Sequence, residues 1–338
     1  TSPLLQSFTS SDLAVIGSLA LEFDVINLVS MKSILSSTII LLQLVFLPIY
    51  QSISTTTSNK MSTLRSVKQI LPATPRHWVG DGFHVHPVFG SKAFTDELSP
   101  FLMFDYAAPQ NFKPNNSSPR GVGRHPHRGF ETVTIAFQGE VEHADSTGKK
   151  DVIKAGDVQW MTAGRGIIHQ EFHSNEFSKK GGPFEMCQLW VNLPKNHKMT
   201  KPGYQPILNE NIPAVDIFAK ADDDGEACTT ESVGKVRVIA GSFEGTTGPA
   251  STFSPVELWD VSISKISSTV DLPFPDGYNC VVFVRRGKVD ILGDGNKKKR
   301  VDPQAVALME KNGGILRIQS LEPDTSVLIM GGVPLNEP

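Results

Sequence analysis

The chain has little cysteine: Cys187, Cys228 and Cys280 in 338 residues. They are odd in number, far apart and without a CxxC pair, so neither a disulfide framework nor a cysteine-based zinc site follows. Buried free thiols are the expectation. Charge of one sign is also scarce, because 32 Lys and Arg stand against 35 Asp and Glu, a formal net charge of −3. That balance gives no global attraction to nucleic acid or acidic membranes. Neither a recognition helix nor a basic stripe is visible, which argues against direct nucleic-acid binding. No sustained helical period runs through the chain. Histidine is missing altogether from residues 235–338.

Long apolar runs are almost absent too. The exception, Ile34 to Tyr50, is interrupted by Gln43 and Pro48 and falls short of the roughly 20 residues that a membrane helix needs. Stable membrane insertion is therefore not expected. Met31 and Lys32 before it, and the polar run Gln51 to Lys60 after it, make the stretch signal-like. The favoured alternative is that translation starts at Met61 and residues 1–60 are untranslated. On either reading residues 1–60 are an extension outside the fold.

What is present is a rhythm of short strands. Phe83–Val88, Phe101–Tyr106, Glu131–Phe137, Gln188–Leu193, Val236–Ala240, Leu258–Ile263, Cys280–Val284, Val289–Leu292 and Leu316–Ile318 are strand-like runs punctuated by Gly, Pro, Asn and Asp. Such spacing predicts an all-β protein of sandwiches or barrels. The Pro-containing, acidic stretch 194–234 reads as a linker between halves at 65–193 and 235–338. The basic run Lys297 to Arg300, beside a turn, reads as a solvated hairpin loop.

The chemistry concentrates in GVGRHPHRGFETVTIAFQG at 121–139 and GDVQWMTAGRGIIHQEFH at 156–173. His125 and His127 are two apart, and so are His169 and Glu171. Strand residues at that spacing point to one face and lie roughly 6–7 Å apart. Two such pairs on neighbouring strands offer three imidazoles and one carboxylate to a single transition metal, and N3O ligation favours iron. Pro126, with its fixed φ, stiffens the ligand strand. Glu131 shares the parity of His125 and His127; its expected work is a hydrogen bond that orients a ligand imidazole. His173 is expected at the rim, and His84 and His86 as plain strand residues. Phe130, Trp160, Met161 and Phe172 are candidates to line a cavity, although aromatics in a barrel are usually core. Arg120, Arg124, Arg128 and Arg165 crowd the motifs and are candidates for anion contacts or salt bridges.

The segments HPHRGFETVT and TAGRGIIHQE, with WVGDGFHV near Trp78, GEVEHADSTG at 139–148, CQLWVNLP at 187–194 and the terminal GGVPLNEP, resemble the pirins of the cupin superfamily. The resemblance covers about residues 65–338. It implies a bicupin of two antiparallel β-barrels (jelly rolls): an N-terminal metal-binding cupin at 65–193 and a metal-free C-terminal cupin at 235–338. Its iron ligands fall on His125, His127, His169 and Glu171, holding one Fe(2+) per chain. Pirins usually run on past the PLNEP motif, so the end of the second cupin is expected to be truncated here. Two activities are implied. One is a quercetin 2,3-dioxygenase-type enzyme that opens a flavonol-type small molecule with release of carbon monoxide, Glu171 acting as catalytic base. The other is an iron-dependent redox sensor that binds a transcription-related protein as a co-regulator. A monomer in nucleus and cytoplasm is expected from a start at Met61, and the secretory route from a start at Met31.

Overall fold

Val, Ile and Phe at every second position force one face of an extended chain toward a core, and from Val67 onward nearly every element is a strand. The computed structural model describes residues 63–90, 95–220, 231–295 and 297–337. The apolar stretch Ile34–Tyr50, Cys228 and the acidic run Asp222–Asp224 lie outside them. Cys187 and Cys280 are buried free thiols. Among the described residues no helix is long and apolar enough to cross a membrane.

The strands form two antiparallel barrels of one plan. In the first, a seven-stranded sheet runs Gly203–Ile207, Val158–Thr162, Phe130–Gln138, Gly182–Asn192, Phe101–Phe112, Phe83–Phe89, His77–Val79. It is closed by a four-stranded sheet ordered Gly121–His127, Ile167–His173, Val141–Asp145, Lys150–Ile153. In the second, the seven strands are Val67–Leu71, Val306–Met309, Asn279–Arg286, Thr325–Gly332, Val256–Ile263, Ser232–Ala240 and Ala214–Phe218, and the four are Thr269–Pro273, Ile315–Ser320, Val289–Gly293 and Lys297–Val301. Each strand of one barrel has a counterpart in the other. The fold is a bicupin.

The exchange of edge strands departs from the simple division at 65–193 and 235–338. Val67–Leu71 joins the sheet of the second barrel through Val306–Met309. The stretch read as a linker supplies an edge to each barrel, Gly203–Ile207 beside Val158–Thr162 and Ala214–Phe218 beside Ser232–Ala240. Arg65, fully buried, fastens the first crossing by donating to the carbonyls of Gly313, Tyr278 and Pro275. Lys297–Val301 is likewise a strand and not a loop: it pairs with Val289–Gly293, and Lys298 and Arg300 reach the buried Asp290 carboxylate.

Strand parity divides the labour of the large sheets. On Phe101–Phe112, Phe104 and Tyr106 face the second barrel, where each meets Phe283 edge-on at 5.0 Å. The shared core continues through Leu189, Trp160, Leu258 and Leu328, and each such side chain contributes about 1.5–3 kcal/mol by leaving water. A buried ion cluster lies in the same seam. Arg285 donates to Glu185 at 2.8 Å and lies 3.4 Å from Asp260, with its guanidinium 4.0 Å above Phe137 and Tyr106 also donating to Glu185. The intervening residues, Met103 and Asp105, face a cavity in the first barrel. In the second barrel, the strands equivalent to the two histidine strands turn Val270, Leu272, Leu316 and Ile318 into a packed apolar core. Among the described residues, none of the groups that could hold a metal falls in that barrel.

Candidate metal centre

The Gly121–His127 and Ile167–His173 strands are antiparallel neighbours, with His125 opposite His169 and Ile167 opposite His127. A bulge between His169 and Glu171 shifts the register, and such a bulge re-aims the side chains beside it. Close approach of the strands requires Gly121, since a Cβ there would overlap the carbonyl oxygen of Glu171. Gly129, at φ +82°, turns the chain from the Gly121–His127 strand into Phe130–Gln138 of the other sheet, a conformation that favours glycine.

The rings converge. Centroids of His125, His127 and His169 lie 4.5–4.8 Å apart, and one nitrogen of each falls within 4.8 Å of the others. His143, His169 and Glu171 form a second such group, so His169 joins the two. His143 is the residue that the sequence reasoning passed over. It lies on Val141–Asp145 opposite Glu171, its Nδ1 3.5 Å from Glu171 Oε1. A visible sign of it was the inward parity of Val141, His143 and Asp145, all buried.

Protonation suits ligation. The Gly123 carbonyl, 2.8 Å from His125 Nδ1, can only accept, so Nδ1 carries the hydrogen and the Nε2 lone pair is free. Burial, reinforced by neighbouring imidazoles, pushes His127 down to about 4, His143 to about 3 and His169 to about 2. These three are neutral at pH 7, the form that binds metal. Both ring nitrogens of His169 are buried without a hydrogen bond, and each such orphan costs about 1–3 kcal/mol. Burial lifts Glu171 to about 7, against a weak pull from Thr134. A divalent cation would satisfy one of the orphaned nitrogens of His169 and compensate the buried carboxylate, so this donor set fits a metal.

A cavity of about 560 Å³ opens on this cluster, within the range of small-molecule sites. His125, His127 and Glu171 line it together with Phe83, Met103, Met186 and Trp190. Of the four candidate lining residues, only Phe130 borders it; Trp160 and Met161 are core, and Phe172 is not part of its wall. Trp190 was missed. It stacks on Phe130 at 4.5 Å and meets His127 edge-on at 5.2 Å.

The Pirin family model matches residues 82–191, the segment that carries the whole cluster. A pirin-like protein of Solanum lycopersicum is 35% identical over 272 residues, covering 80% of this chain and 82% of its own length. This chain belongs to the pirin family. A Pseudomonas aeruginosa protein, provisionally named a quercetin 2,3-dioxygenase, is 44% identical over 275 residues, covering 81% of this chain and 89% of that protein. The crystal structure of quercetin 2,3-dioxygenase from Acinetobacter baumannii matches with a TM-score of 0.72 and 44% identity, covering 81% of this chain and 89% of that one.

Two expectations for this pirin need correction. Glu131 does not orient an imidazole: it accepts a 2.7 Å hydrogen bond from Thr162 Oγ1, and its strand lies in the large sheet, whereas the two histidine strands lie in the four-stranded one. His173 is neither ligand nor rim. It is buried, bonded to the Gly82 carbonyl at 2.9 Å and packed against Phe83, Phe112, Phe177 and Phe184. His84 and His86 are strand residues as expected. Arg124, Arg128 and Arg165 are exposed, and Arg128 reaches the cavity.

Proposed function

We propose that this pirin is an iron-dependent oxygenase of the quercetin 2,3-dioxygenase type, with Fe(2+) held by His125, His127, His169 and Glu171. The observation that carries the reading is the convergence of neutral imidazoles and one buried carboxylate at the wall of an apolar, aromatic-lined cavity. The names of the Pseudomonas and Acinetobacter relatives support the flavonol as substrate class. Iron bound at such a site supplies open coordination positions and one-electron redox chemistry with dioxygen.

The chain's own residues do the rest. Phe130, Trp190, Met103 and Met186 give an aromatic ring a dry surface and exclude water from it. Glu171 reaches the same cavity, and its carboxylate takes the proton of the flavonol hydroxyl that enters beside the imidazoles. His125 is held in one tautomer by Gly123, which preorganises its Nε2.

The redox co-regulator is a second reading, favoured by the exposed Arg124 and Arg128 on either side of the histidine pair, which offer an acidic partner a surface beside the metal. His127→Ala tests the shared premise. Metal analysis should find the variant soluble and without iron, because the second barrel and the seam between barrels do not involve His127. Full iron content would overturn the ligand set.

A further inference from the structure

The cavity has a second polar pole, and the mechanism above does not use it. A row of side chains crosses the floor of the first barrel: Gln159 pairs with Thr134, Thr134 with Gln188, and Gln188 with Asp105. Directly paired residues share a face, and strands are about 4.8 Å apart. Asp105 therefore stands about 10 Å from Thr134, whose hydroxyl lies 3.5 Å from Glu171.

The groups at this pole are open to the cavity in a complementary way. Gln188 Oε1 accepts from Thr134 Oγ1 at 2.6 Å, which fixes the amide and turns its Nε2 donors elsewhere. Among the described residues nothing accepts from them. The Asp105 carboxylate likewise has no hydrogen bond or ion pair among the described residues, and it stands half-buried in the cavity wall with Met103. Asp105 and Met103 border both the cavity at the metal ligands and a neighbouring one of about 650 Å³ behind Pro72 and Phe89. They mark the waist between the two. An unpaired carboxylate in an apolar wall is costly to keep. Burial, opposed by the charge of His77, pushes Asp105 up to about 6.

We infer that Asp105 and Gln188 bind a phenolic hydroxyl at the end of the substrate remote from the metal ligands, so that the site selects polyhydroxylated aromatics. A phenol fits both groups at once: its O–H donates to Asp105 and its oxygen accepts from Gln188 Nε2. A ligand with a carboxylate at that end is rejected by charge. The apolar path between the poles takes a flat aromatic body. This inference rests on the proposed flavonol-binding role and adds the specificity determinant to it.

The test is anaerobic equilibrium binding to iron-loaded protein, followed by quenching of tryptophan fluorescence. Quercetin is compared with galangin, the flavonol without hydroxyls on the pendant ring, in the wild type, Asp105→Asn, Asp105→Leu and Gln188→Leu. A hydrogen bond to a charged group sets the expected preference for quercetin at about 10- to 100-fold in the wild type. The preference should shrink in Asp105→Asn and Gln188→Leu and fall below about threefold in Asp105→Leu, with iron content unchanged. A wild type that binds both flavonols alike, or a preference that survives in Asp105→Leu, overturns the inference and leaves the proposed function standing. A wild type that binds neither flavonol removes both.

Discussion

Replacing Asp105 by Asn should stabilise the metal-free protein at neutral and alkaline pH. The carboxylate is desolvated, and its pKa rises from 3.8 to about 6. Each unit is worth about 1.36 kcal/mol, so two units set a ceiling of about 3 kcal/mol; partial solvent access reduces this to about 1–2 kcal/mol. The sign follows from linkage. Below about 4 the group is protonated in both folded and unfolded chains, and no cost exists. Between about 4 and 6 the unfolded chain releases its proton first, so the cost grows, and above about 6 it is complete. An amide of the same shape has no charge to bury. At pH 8 the variant should melt about 2–8 °C above the wild type, from about 2–4 °C per kcal/mol for a protein of this size. The difference should vanish near pH 4. Calorimetry of chelator-treated protein at the two pH values decides the matter. No gain at pH 8 would refute the reasoning, and an equal gain at pH 4 would assign the effect to packing instead of charge. A residue whose removal stabilises the fold is also what a specificity group retained at a cost would show.

Arg285→Met should destabilise the protein by about 3–5 kcal/mol, because Glu185 and Asp260 would keep buried charge without their shared guanidinium. A fall in the urea midpoint measures it, and an unchanged midpoint would mean that the seam between the barrels holds without the cluster. His143→Leu should weaken metal binding about 10- to 100-fold, since it removes the imidazole that groups with His169 and Glu171, its Nδ1 3.5 Å from the carboxylate. Competition with a chelator reads this directly, and an affinity equal to the wild type would make His143 a bystander.

Strand parity made the convergence of His125, His127 and His169 legible in the sequence. Residues two apart must share a face, and the Gly-rich turns needed to bring 121–127 beside 167–173 are present in the chain. His143 escaped because it stands alone on its strand, and only pairing across the sheet places it opposite Glu171. Asp105 escaped for a similar reason. In FLMFDYAAP it reads as one polar residue in a buried strand, and its meaning comes from a row formed by three other strands.

The edge strands were hidden by their position. Val67–Leu71, Gly203–Ile207 and Ala214–Phe218 are each paired on one side only, and at five residues apiece they are too short to separate from loop by pattern. In Lys297–Val301 four consecutive basic residues mask the alternation entirely, although Lys298 and Arg300 point to the Asp290 carboxylate. For His173, parity gave the inward direction but not the depth. Four phenylalanines from separate parts of the chain decide that it belongs to the core.

The most direct test is oxygen uptake by protein loaded anaerobically with iron(II), recorded as quercetin is added. Uptake that requires iron and is lost in both His127→Ala and Glu171→Ala is the predicted result. Protein that retains iron at these residues, cycles between its two oxidation states and consumes no oxygen with quercetin would contradict the oxygenase reading and leave the redox-gated binding protein in its place.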